Sequence, residues 1–543
     1  MARALREIGQ LLAASGGEAP RVRAYARGAR AIEALAGDLD EMVRGARLTT
    51  IPGIGRGLAA VITELHRTGR SGFLEDLRGS LPRGVLELRQ VPGLGLAKIR
   101  ALSEAGIDSV ATLRAAAEAG TLARVPGFGD RAARNLLAAL AEPRPASRGL
   151  RLDEAHRAAE HVTAYAASLP GVERVETAGA LRRAVELVDG IEVVASARAA
   201  APVIDAFVRF PPVTGVVDRS PDGCRVRLAD GVDLSLHVVP PPAFVVAVHR
   251  RTGSARHLAR LEHIAETRGL VLEPLALRRA GSDIALPVDA EPALYRALGL
   301  EPVPPELRED QGEIEAAAAG TLPADLLESR DLRGLVHCHT VYSDGTATIE
   351  EMARAADALG MDYITITDHS AAAHYANGLG LDRLAAQWDE IARVQERVRV
   401  RLLRGTECDI LADGAFDYPD AILEQMDVII ASVHARHRMN AEQMTRRLLR
   451  ALSWPVFKIW GHARGRLIPS RPPFECDMDA VLDGLAASRG AVEVNGDPRR
   501  LDMEPRWLRA ARERGIPFVV STDAHSVAAL ANDRYGVAIA RRG

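Results

Sequence analysis

Two histidines at a spacing of two residues, His337 and His339, follow the short apolar run of residues 334–336. Such a run predicts a β-strand, and alternate residues of a strand project from the same face. The two imidazoles therefore point toward one place, while Cys338 between them faces away. Imidazole is the commonest protein ligand for metal ions, so this pair predicts metal binding.

More histidines and carboxylates follow other apolar runs in the same part of the chain. His369 comes after residues 363–367, and Asp523 comes after residues 518–520. In a β/α barrel the C-terminal ends of all strands meet at one face, so these side chains should converge. The candidate ligands are His337, His339, Asp344, His369, Glu407, His434, His462, Asp523 and His525.

A mixture of imidazoles and carboxylates suits Zn²⁺, Mn²⁺ or Fe²⁺, whereas Mg²⁺ prefers oxygen ligands. Two cations that share a carboxylate can also share a water, which then ionises near neutral pH. A hydroxide formed in this way can hydrolyse an ester, and the family resemblance given below implies a phosphate ester. Arg464 and Arg466, together with Arg436 or His437, are candidate contacts for the phosphate oxygens because each lies close to a histidine of this set.

From Asp331 to Gly543 the chain resembles a PHP (polymerase and histidinol phosphatase) domain, and all nine positions match metal ligands of that family. Four short sequence segments resemble the PHP module of bacterial family X DNA polymerases. They are residues 376–378, 417–419, 431–434 and 534–537. The resemblance implies three divalent ions, with Glu407 bridging two of them and Glu407 and Asp523 central to catalysis. The implied ligand sets are His337, His339, Glu407 and Asp523 for the first ion, Glu407, His434 and His462 for the second, and Asp344, His369 and His525 for the third.

A Pro-Gly-x-Gly turn occurs three times in the N-terminal region, within residues 51–55, 91–95 and 125–129, each time before a helical segment. This repeat resembles the helix-hairpin-helix. Its glycines let the backbone approach a phosphate, and the amides of the following helix point at the anion. One copy could be a tight turn without a ligand, but three copies in a basic segment favour DNA held without regard to sequence. The predicted DNA contacts are Gly53, Gly55, Gly93, Gly95, Gly127 and Gly129.

Charge is distributed unevenly along the chain. Residues 1–150 hold 22 Lys and Arg against 15 Asp and Glu, which gives a net charge of +7. Because the whole chain has a net charge of −3, the remaining residues carry −10. A basic N-terminal region suits a phosphate backbone and an acidic remainder suits metal ions.

In family X polymerases an N-terminal lyase uses a lysine on the helix after the first hairpin, but residues 57–64 contain none and Lys98 is the first lysine of the chain. Because arginine cannot form a Schiff base, we predict no lyase of that type.

Residues 174–183 resemble the nucleotidyltransferase motif in which a Gly-Ser turn cradles a triphosphate, and residues 250–258 resemble the nucleotide-contacting loop. Two Mg²⁺ ions would need an Asp-x-Asp pair on one strand face, but those positions hold glycine and glutamate. We therefore predict a palm and thumb retained as scaffold, with a slow polymerase that uses Mg²⁺ or Mn²⁺ as the counter-interpretation. The degenerate site comprises Ala180, Arg183, Gly190, Glu192 and Asp233.

A chain of 543 residues is too long for one core, so the predicted fold class is multidomain: helical hairpins, an α+β nucleotidyltransferase palm and thumb, and a distorted β/α barrel. No apolar run could cross a bilayer, no secretory signal opens the chain, and the four cysteines show no paired spacing, so a cytoplasmic monomer without a membrane partner is expected. The predicted domains are the N-terminal helix-hairpin-helix domain (1–88), a fingers-like helix-hairpin-helix domain (89–149), the palm (150–242), the thumb (243–308), a linker (309–331) and the PHP domain (332–543).

The predicted function is a metal-dependent DNA phosphodiesterase of DNA repair, a 3′-5′ exonuclease that acts on DNA 3′ ends in gapped or nicked duplex. Abasic-site cleavage and 3′-phosphate removal are further activities of the same kind. The alternatives are a gap-filling polymerase with a PHP proofreader, a non-catalytic DNA-end binder, and a phosphatase of small monoesters. The three hairpins upstream disfavour the small-monoester phosphatase, because such an enzyme does not need to bind DNA.

Overall fold

The computed structural model describes residues 1–14, 19–33, 39–51, 53–68, 71–80, 88, 94, 96–126, 128–129, 149–228, 231–435 and 438–543. The chain divides into two compact units, Met1–Ala146 and Ser147–Gly543. The predicted boundary between residues 149 and 150 lies close to this division. No described helix combines the length and the apolar composition that a bilayer crossing requires.

The first unit is helical in its described residues. Leu5, Ile8 and Leu12 recur at helical spacing on the first helix and are buried in one core. A separate core gathers Ile99 and Leu113. The helices are α1 (Ala2–Ala14), α2 (Ala19–Glu33), α3 (Leu39–Arg44), α4 (Arg56–Thr68), α5 (Gly72–Ser80), α6 (Leu96–Glu104) and α7 (Val110–Glu118).

The first predicted hairpin lies directly before α4. Gly53 adopts a φ of 89°, which favours glycine, and Gly55 is exposed immediately before the helix begins at Arg56. Gly129 is likewise exposed, whereas Gly93, Gly95 and Gly127 lie outside the described residues. The hairpin glycines therefore remain predicted DNA contacts.

The second unit begins with an α+β layer that corresponds to the predicted palm. Its five-stranded sheet has the order β2 (Val172–Ala178), β4 (Ile191–Ala197), β7 (Asp233–Val239), β6 (Gly223–Leu228) and β5 (Val213–Ser220), in which β4 and β7 run parallel and the other neighbours antiparallel. Alternate residues of β7 are buried, as expected for a sheet with one covered face. The elements are β1 (Leu150–Arg151), α8 (Leu152–Ser168), β2 (Val172–Ala178), α9 (Gly179–Arg182), β3 (Leu187–Val188), β4 (Ile191–Ala197), α10 (Ala200–Phe207), β5 (Val213–Ser220), β6 (Gly223–Leu228) and β7 (Asp233–Val239).

Four helices and a hairpin follow in the region of the predicted thumb. Ile314 and Ala317, which lie in the predicted linker, are buried in the core of this region. The linker therefore contains a helix that packs on the thumb. The elements are α11 (Phe244–Thr252), α12 (Ala255–Thr267), β8 (Leu270–Leu272), β9 (Leu277–Arg279), α13 (Glu291–Ala297) and α14 (Glu313–Ala319).

The C-terminal part is a parallel β/α barrel, and it confirms the predicted fold class. Seven strands pair in chain order, and the amide of His339 donates to the carbonyl of Ala524 over 2.8 Å, which joins the segment after the first strand to the segment after the last. The elements are β10 (Gly334–Leu335), α15 (Ile349–Ala358), β11 (Tyr363–Ile366), α16 (Leu381–Gln395), β12 (Arg401–Asp409), α17 (Asp420–Leu423), β13 (Val428–Ser432), α18 (Ala441–Leu452), β14 (Lys458–Trp460), α19 (Met478–Ala486), β15 (Gly490–Asn495), α20 (Pro505–Glu513), β16 (Phe518–Ser521) and α21 (Asp533–Arg542).

The last helix, α21, also contacts the thumb region. Arg541 forms an ion pair with Glu306 at 2.7 Å, and Arg542 lies 3.5 Å from Glu309. Both guanidiniums belong to the last turn of the helix, where positive charge is favourable.

Candidate metal centre

The nine predicted ligands lie at the C-terminal ends of the barrel strands, where the parallel arrangement gathers them. Glu407 is still within its strand, and the others follow one. His337, His339 and Asp344 come after β10, His369 after β11, Glu407 on β12, His434 after β13, His462 after β14, and Asp523 and His525 after β16.

Glu407 occupies the middle of this cluster and is buried. Its Oε1 lies 2.7 Å from Nε2 of His462 and 3.0 Å from Nε2 of His434. Its Oε2 lies 3.0 Å from Nδ1 of His369. One carboxylate therefore faces three imidazoles. The family resemblance implied separate ligand sets for His369 and His434, but here both lie against Glu407.

A second set of side chains surrounds Asp523. Nε2 of His337 and Nε2 of His339 lie 3.6 and 3.4 Å from Oδ1 of Asp523, and 3.5 and 3.6 Å from Oε2 of Glu407. These separations exceed those of a good hydrogen bond, so the lone pairs converge on a gap between the groups.

The third set is centred on Asp344, which is more exposed. Its Oδ1 lies 3.4 Å from Nε2 of His525, 3.7 Å from Nε2 of His369 and 3.8 Å from Nδ1 of His339. All nine predicted residues thus contribute to one continuous cluster.

The donor atoms of the cluster fit divalent cations. Nε2 of His337, His339 and His434 and Nδ1 of His369 are buried, and none makes a hydrogen bond among the described residues, although the last two lie 3.0 Å from oxygens of Glu407. Buried polar atoms without partners are costly, and a cation between the imidazoles and the carboxylates would satisfy them.

Electrostatics also favour cations. Burial alone would raise the pKa of Glu407, but the charges of His434, His369 and His337 hold it well below its ordinary value. Burial opposes ionisation of Asp523 in the same way, yet His337 and Arg500 keep its pKa well below the ordinary value. Both carboxylates therefore stay ionised because positive charge surrounds them, and divalent cations would supply that charge when the imidazoles bind as neutral rings.

Two residues of β15, Glu493 and Asn495, support the cluster and were not predicted. Glu493 accepts hydrogen bonds from Nδ1 of His337 at 2.6 Å, from Oγ of Ser521 at 2.6 Å and from the amide of His462. Asn495 donates to Oδ2 of Asp523 over 3.2 Å. The signal was present in the sequence, because two polar residues at a spacing of two interrupt the apolar run of residues 490–495.

Other carboxylates behind the ligands orient them. Oδ1 of Asp409 lies 3.2 Å from Nδ1 of His434, which leaves Nε2 of that ring for the cluster. The backbone adds constraint, since His462 and Asp523 adopt positive φ angles of 23° and 48°. Non-glycine residues rarely adopt this conformation because it is strained. The contacts around these two residues therefore hold their backbones in place.

The contacts of Arg464 and Arg466 differ from the predicted ones. Nε and Nη2 of Arg464 donate to the carbonyl of Phe474 over 3.3 and 3.1 Å. Nε of Arg466 donates to the carbonyl of Arg500 over 2.8 Å, and its Nη2 donates to that of Leu501. Both guanidiniums thus hold the loops around β14 and β15 together, whereas Nη1 of Arg464 has no hydrogen-bond partner among the described residues and lies 3.7 Å from Glu504. Phosphate contact by either arginine stays a prediction. Arg436 and His437 lie outside the described residues.

Arg500 lies closer to the cluster than either of these arginines. Its Nε is 3.0 Å from Oδ2 of Asp523, and its side chain is 16% exposed. No motif singled it out, because its reach depends on the loop after β15 rather than on a strand position.

The predicted nucleotidyl-transfer residues lie on the palm sheet and beside it. Glu192 pairs in register with Ser235, two residues beyond Asp233, so both carboxylates share one sheet face. Asp233 is engaged by Arg227 at 2.7 and 3.0 Å. A side chain at position 190 would place its Cβ 3.1 Å from the carbonyl of Asp233.

Arg183, which follows α9, is also held by neighbouring groups. Arg183 donates to Glu309 over 2.8 Å and to the carbonyl of Thr252 over 2.7 Å. Ala180 is half-buried on the short helix α9. Burial raises the pKa of Glu192 by more than the neighbouring Arg251 lowers it.

Family profiles match four stretches of the chain. They are a helix-hairpin-helix domain at residues 1–71, a SAM-like helix-hairpin-helix tandem at 85–142, a DNA polymerase beta thumb at 247–309 and a PHP domain at 336–468.

Full-length and partial relatives agree with these profiles. The chain is 31% identical over 545 residues to the protein named DNA polymerase/3′-5′ exonuclease PolX of Bacillus subtilis, an alignment that covers 100% of this chain and 95% of that protein. It is 29% identical over 203 residues to a probable phosphatase of Thermoanaerobacter sp., which covers 35% of this chain and 77% of the relative. A probable phosphatase of Caldanaerobacter subterraneus is 29% identical over 201 residues, with 35% and 74% covered. The chain therefore belongs to the family X DNA polymerases that carry a C-terminal PHP domain.

Proposed function

We propose that this chain removes nucleotides from DNA 3′ ends, as a metal-dependent 3′-5′ exonuclease that acts at the cluster around Glu407. The observation that carries the proposal is the convergence of nine histidine and carboxylate side chains with buried, unpartnered nitrogens. The predicted substrate is a 3′ end in gapped or nicked duplex, held without regard to sequence by the helical hairpins.

The proposed cofactors are three divalent cations of the Zn²⁺, Mn²⁺ or Fe²⁺ class. The residues that would hold them are the three sets predicted from the family resemblance, with His369 placed to serve a second set as well. When bound, such cations polarise a phosphate ester and lower the pKa of a water that they share.

The protein's own residues supply position and charge. Glu493 and Asp409 hydrogen-bond the far nitrogens of His337 and His434, so that the Nε2 atoms face the cluster. Arg500 lies 3.0 Å from Asp523 and brings a positive charge to the cluster, where it would meet a phosphodiester. We propose Arg500, rather than Arg464 or Arg466, as the guanidinium that contacts the substrate phosphate.

We further propose that templated synthesis is weak or lost. A two-metal site needs several ionised carboxylates on one face, but Gly190 contributes none. Asp233 forms an ion pair with Arg227 through both of its oxygens. Arg183, whose motif would approach the triphosphate, is occupied by Glu309.

The nuclease proposal is tested with a 5′-labelled primer annealed to a gapped template. Glu407→Gln should abolish 3′ trimming, while DNA binding measured by fluorescence anisotropy stays within about twofold of wild type, because the hairpins and not the cluster grip the backbone. Glu424→Gln, which alters an exposed glutamate of the same barrel, serves as the matched control. Trimming that persists in Glu407→Gln contradicts the assignment.

A gap-filling polymerase is the second candidate, since Glu192 and Asp233 do share one sheet face. Primer extension with Mn²⁺ and all four deoxynucleotides separates the two functions. Extension by wild type that disappears in Asp233→Ala would establish the polymerase and overturn the scaffold interpretation.

A further inference from the structure

An exposed aromatic ring lies beside the metal centre without being part of it. Tyr375 belongs to a 3-10 turn between β11 and α16, and it is 71% exposed. Its ring centroid lies 6.0 Å from that of His369 and 6.1 Å from that of His434, each at an interplanar angle of 64°. Isolated exposed aromatics are common on proteins, but this one stands at the mouth of the cluster with most of its surface open to a ligand.

Two guanidiniums belong to adjoining loops beside the cluster. Arg500 forms an ion pair with Asp523 at 3.0 Å, and the loop of Arg471 is joined to the loop of Arg500 by the amide of Ile468, which donates to the carbonyl of Arg499 over 2.6 Å. Arg471 interacts electrostatically with both Arg500 and Tyr375: burial lowers the pKa of Arg471, and the positive charge of Arg500 lowers it further. Nε of Arg471 and Nη1 of Arg500 are buried and lack hydrogen-bond partners among the described residues. Although Nε of Arg500 pairs with Asp523, Nη1 of Arg500 and Nε of Arg471 are left for an anion that carries several oxygens.

We propose that Tyr375, Arg471 and Arg500 form a nucleotide subsite, in which the tyrosine ring stacks on the base of the 3′-terminal nucleotide and the two guanidiniums take oxygens of the phosphodiester. The inference rests on the proposed nuclease function and specifies its substrate class, which is a nucleotide with its base rather than a small phosphate monoester. Stacking tolerates every base, because each presents a π face, so the subsite agrees with digestion that is independent of sequence.

The stacking contact is tested with two single-stranded oligonucleotides that differ only at the 3′ end. One ends in thymidine and the other in a tetrahydrofuran residue without a base. Tyr375→Ala should lower kcat/KM by about tenfold on the thymidine end and by less than about twofold on the end without a base, and Tyr375→Phe should keep both values. Phe457→Ala is the matched control, because Phe457 is exposed at the opposite, N-terminal end of β14. Equal losses on the two ends, or no loss on either, would overturn the stacking role.

A binding measurement keeps the test independent of catalysis. An oligonucleotide with a 3′-terminal 2-aminopurine and a phosphorothioate as its last linkage should lose fluorescence on binding wild type and Tyr375→Phe, but not on binding Tyr375→Ala. If wild type trims neither oligonucleotide, the nuclease proposal fails, while this quenching still decides the subsite. Quenching that is the same in Tyr375→Ala contradicts the subsite even where trimming is normal.

The arginine contact has its own comparison. Arg471→Gln should raise KM by roughly fivefold or more on both oligonucleotide ends, because it removes a phosphate contact and not a base contact. Arg489→Gln, which changes an exposed arginine before the start of β15, is the control. An Arg471→Gln enzyme with the wild-type KM would remove the anion half of the proposal.

Discussion

Nδ1 of His337 donates a hydrogen bond to Oε1 of Glu493 over 2.6 Å, and both side chains are fully buried. The same carboxylate accepts the amide of His462, so one residue of β15 orients two predicted ligands from different strands. Buried partners of this kind set which imidazole nitrogen faces a metal.

Glu493→Gln should therefore weaken metal binding although Glu493 is not a predicted ligand. We expect a loss of about 10- to 100-fold in metal affinity, with a matching fall in 3′ trimming at limiting metal. Metal titration followed by elemental analysis measures the affinity. Recovery of trimming at high metal concentration is expected, and failure to recover would indicate that Glu493 acts on the substrate instead.

Arg464→Ala should lower stability more than catalysis, because its guanidinium binds the carbonyl of Phe474 inside the protein. We expect a decrease of about 2–4 kcal/mol in the free energy of unfolding, measured by urea denaturation. The value of kcat/KM per folded molecule should change by less than about threefold. A stable but inactive Arg464→Ala protein would restore the original phosphate-clamp prediction.

Arg500→Lys should show the opposite pattern. Lysine keeps the positive charge next to Asp523 but not the forked donors, so we expect kcat/KM for 3′ trimming to fall by about 10- to 100-fold. The melting temperature should stay near that of wild type. A wild-type rate in Arg500→Lys would show that charge alone suffices.

The ion pairs between palm and thumb should make stability depend on pH. Glu291 accepts hydrogen bonds from Arg182 at 2.8 and 3.0 Å and from Arg308 at 2.7 and 3.0 Å. Burial alone would raise the pKa of Glu291, but these hydrogen bonds hold it below its ordinary value. A carboxyl with a depressed pKa stabilises the fold above its unfolded pKa of roughly 4.3, and the stabilisation is lost as pH falls toward the folded pKa.

Glu291→Gln should accordingly cost about 3 kcal/mol of unfolding free energy at pH 7. The difference from wild type should shrink below about pH 4, where the wild-type carboxyl begins to take up a proton. Urea denaturation at several pH values measures this, with the 73%-exposed Glu266, changed to Gln, as the control in the same region. A difference that does not vary with pH would mean that Glu291 acts by packing alone.

The predicted ligands were accessible to sequence reasoning because each sits at a strand end, and a parallel barrel brings strand ends together whatever the loops do. Glu493 lies at an equally regular strand position, but it is not one of the family's metal-ligand positions and no histidine accompanies it in β15. The roles of Arg464, Arg466 and Arg500 could not be read in this way. A guanidinium spans several ångströms from its backbone, so its partner is set by loop paths that local spacing does not encode.

Oε1 of Glu309 lies 2.8 Å from Nε of Arg183 in the palm and 3.5 Å from Nη2 of Arg542 in the last helix of the barrel. A nucleotide that drew Arg183 toward its phosphates would leave this acid with a single, more distant counter-ion. Under the proposed loss of synthesis, Gly190→Asp alone should not produce primer extension, because Glu309 holds Arg183 beside the last helix of the barrel.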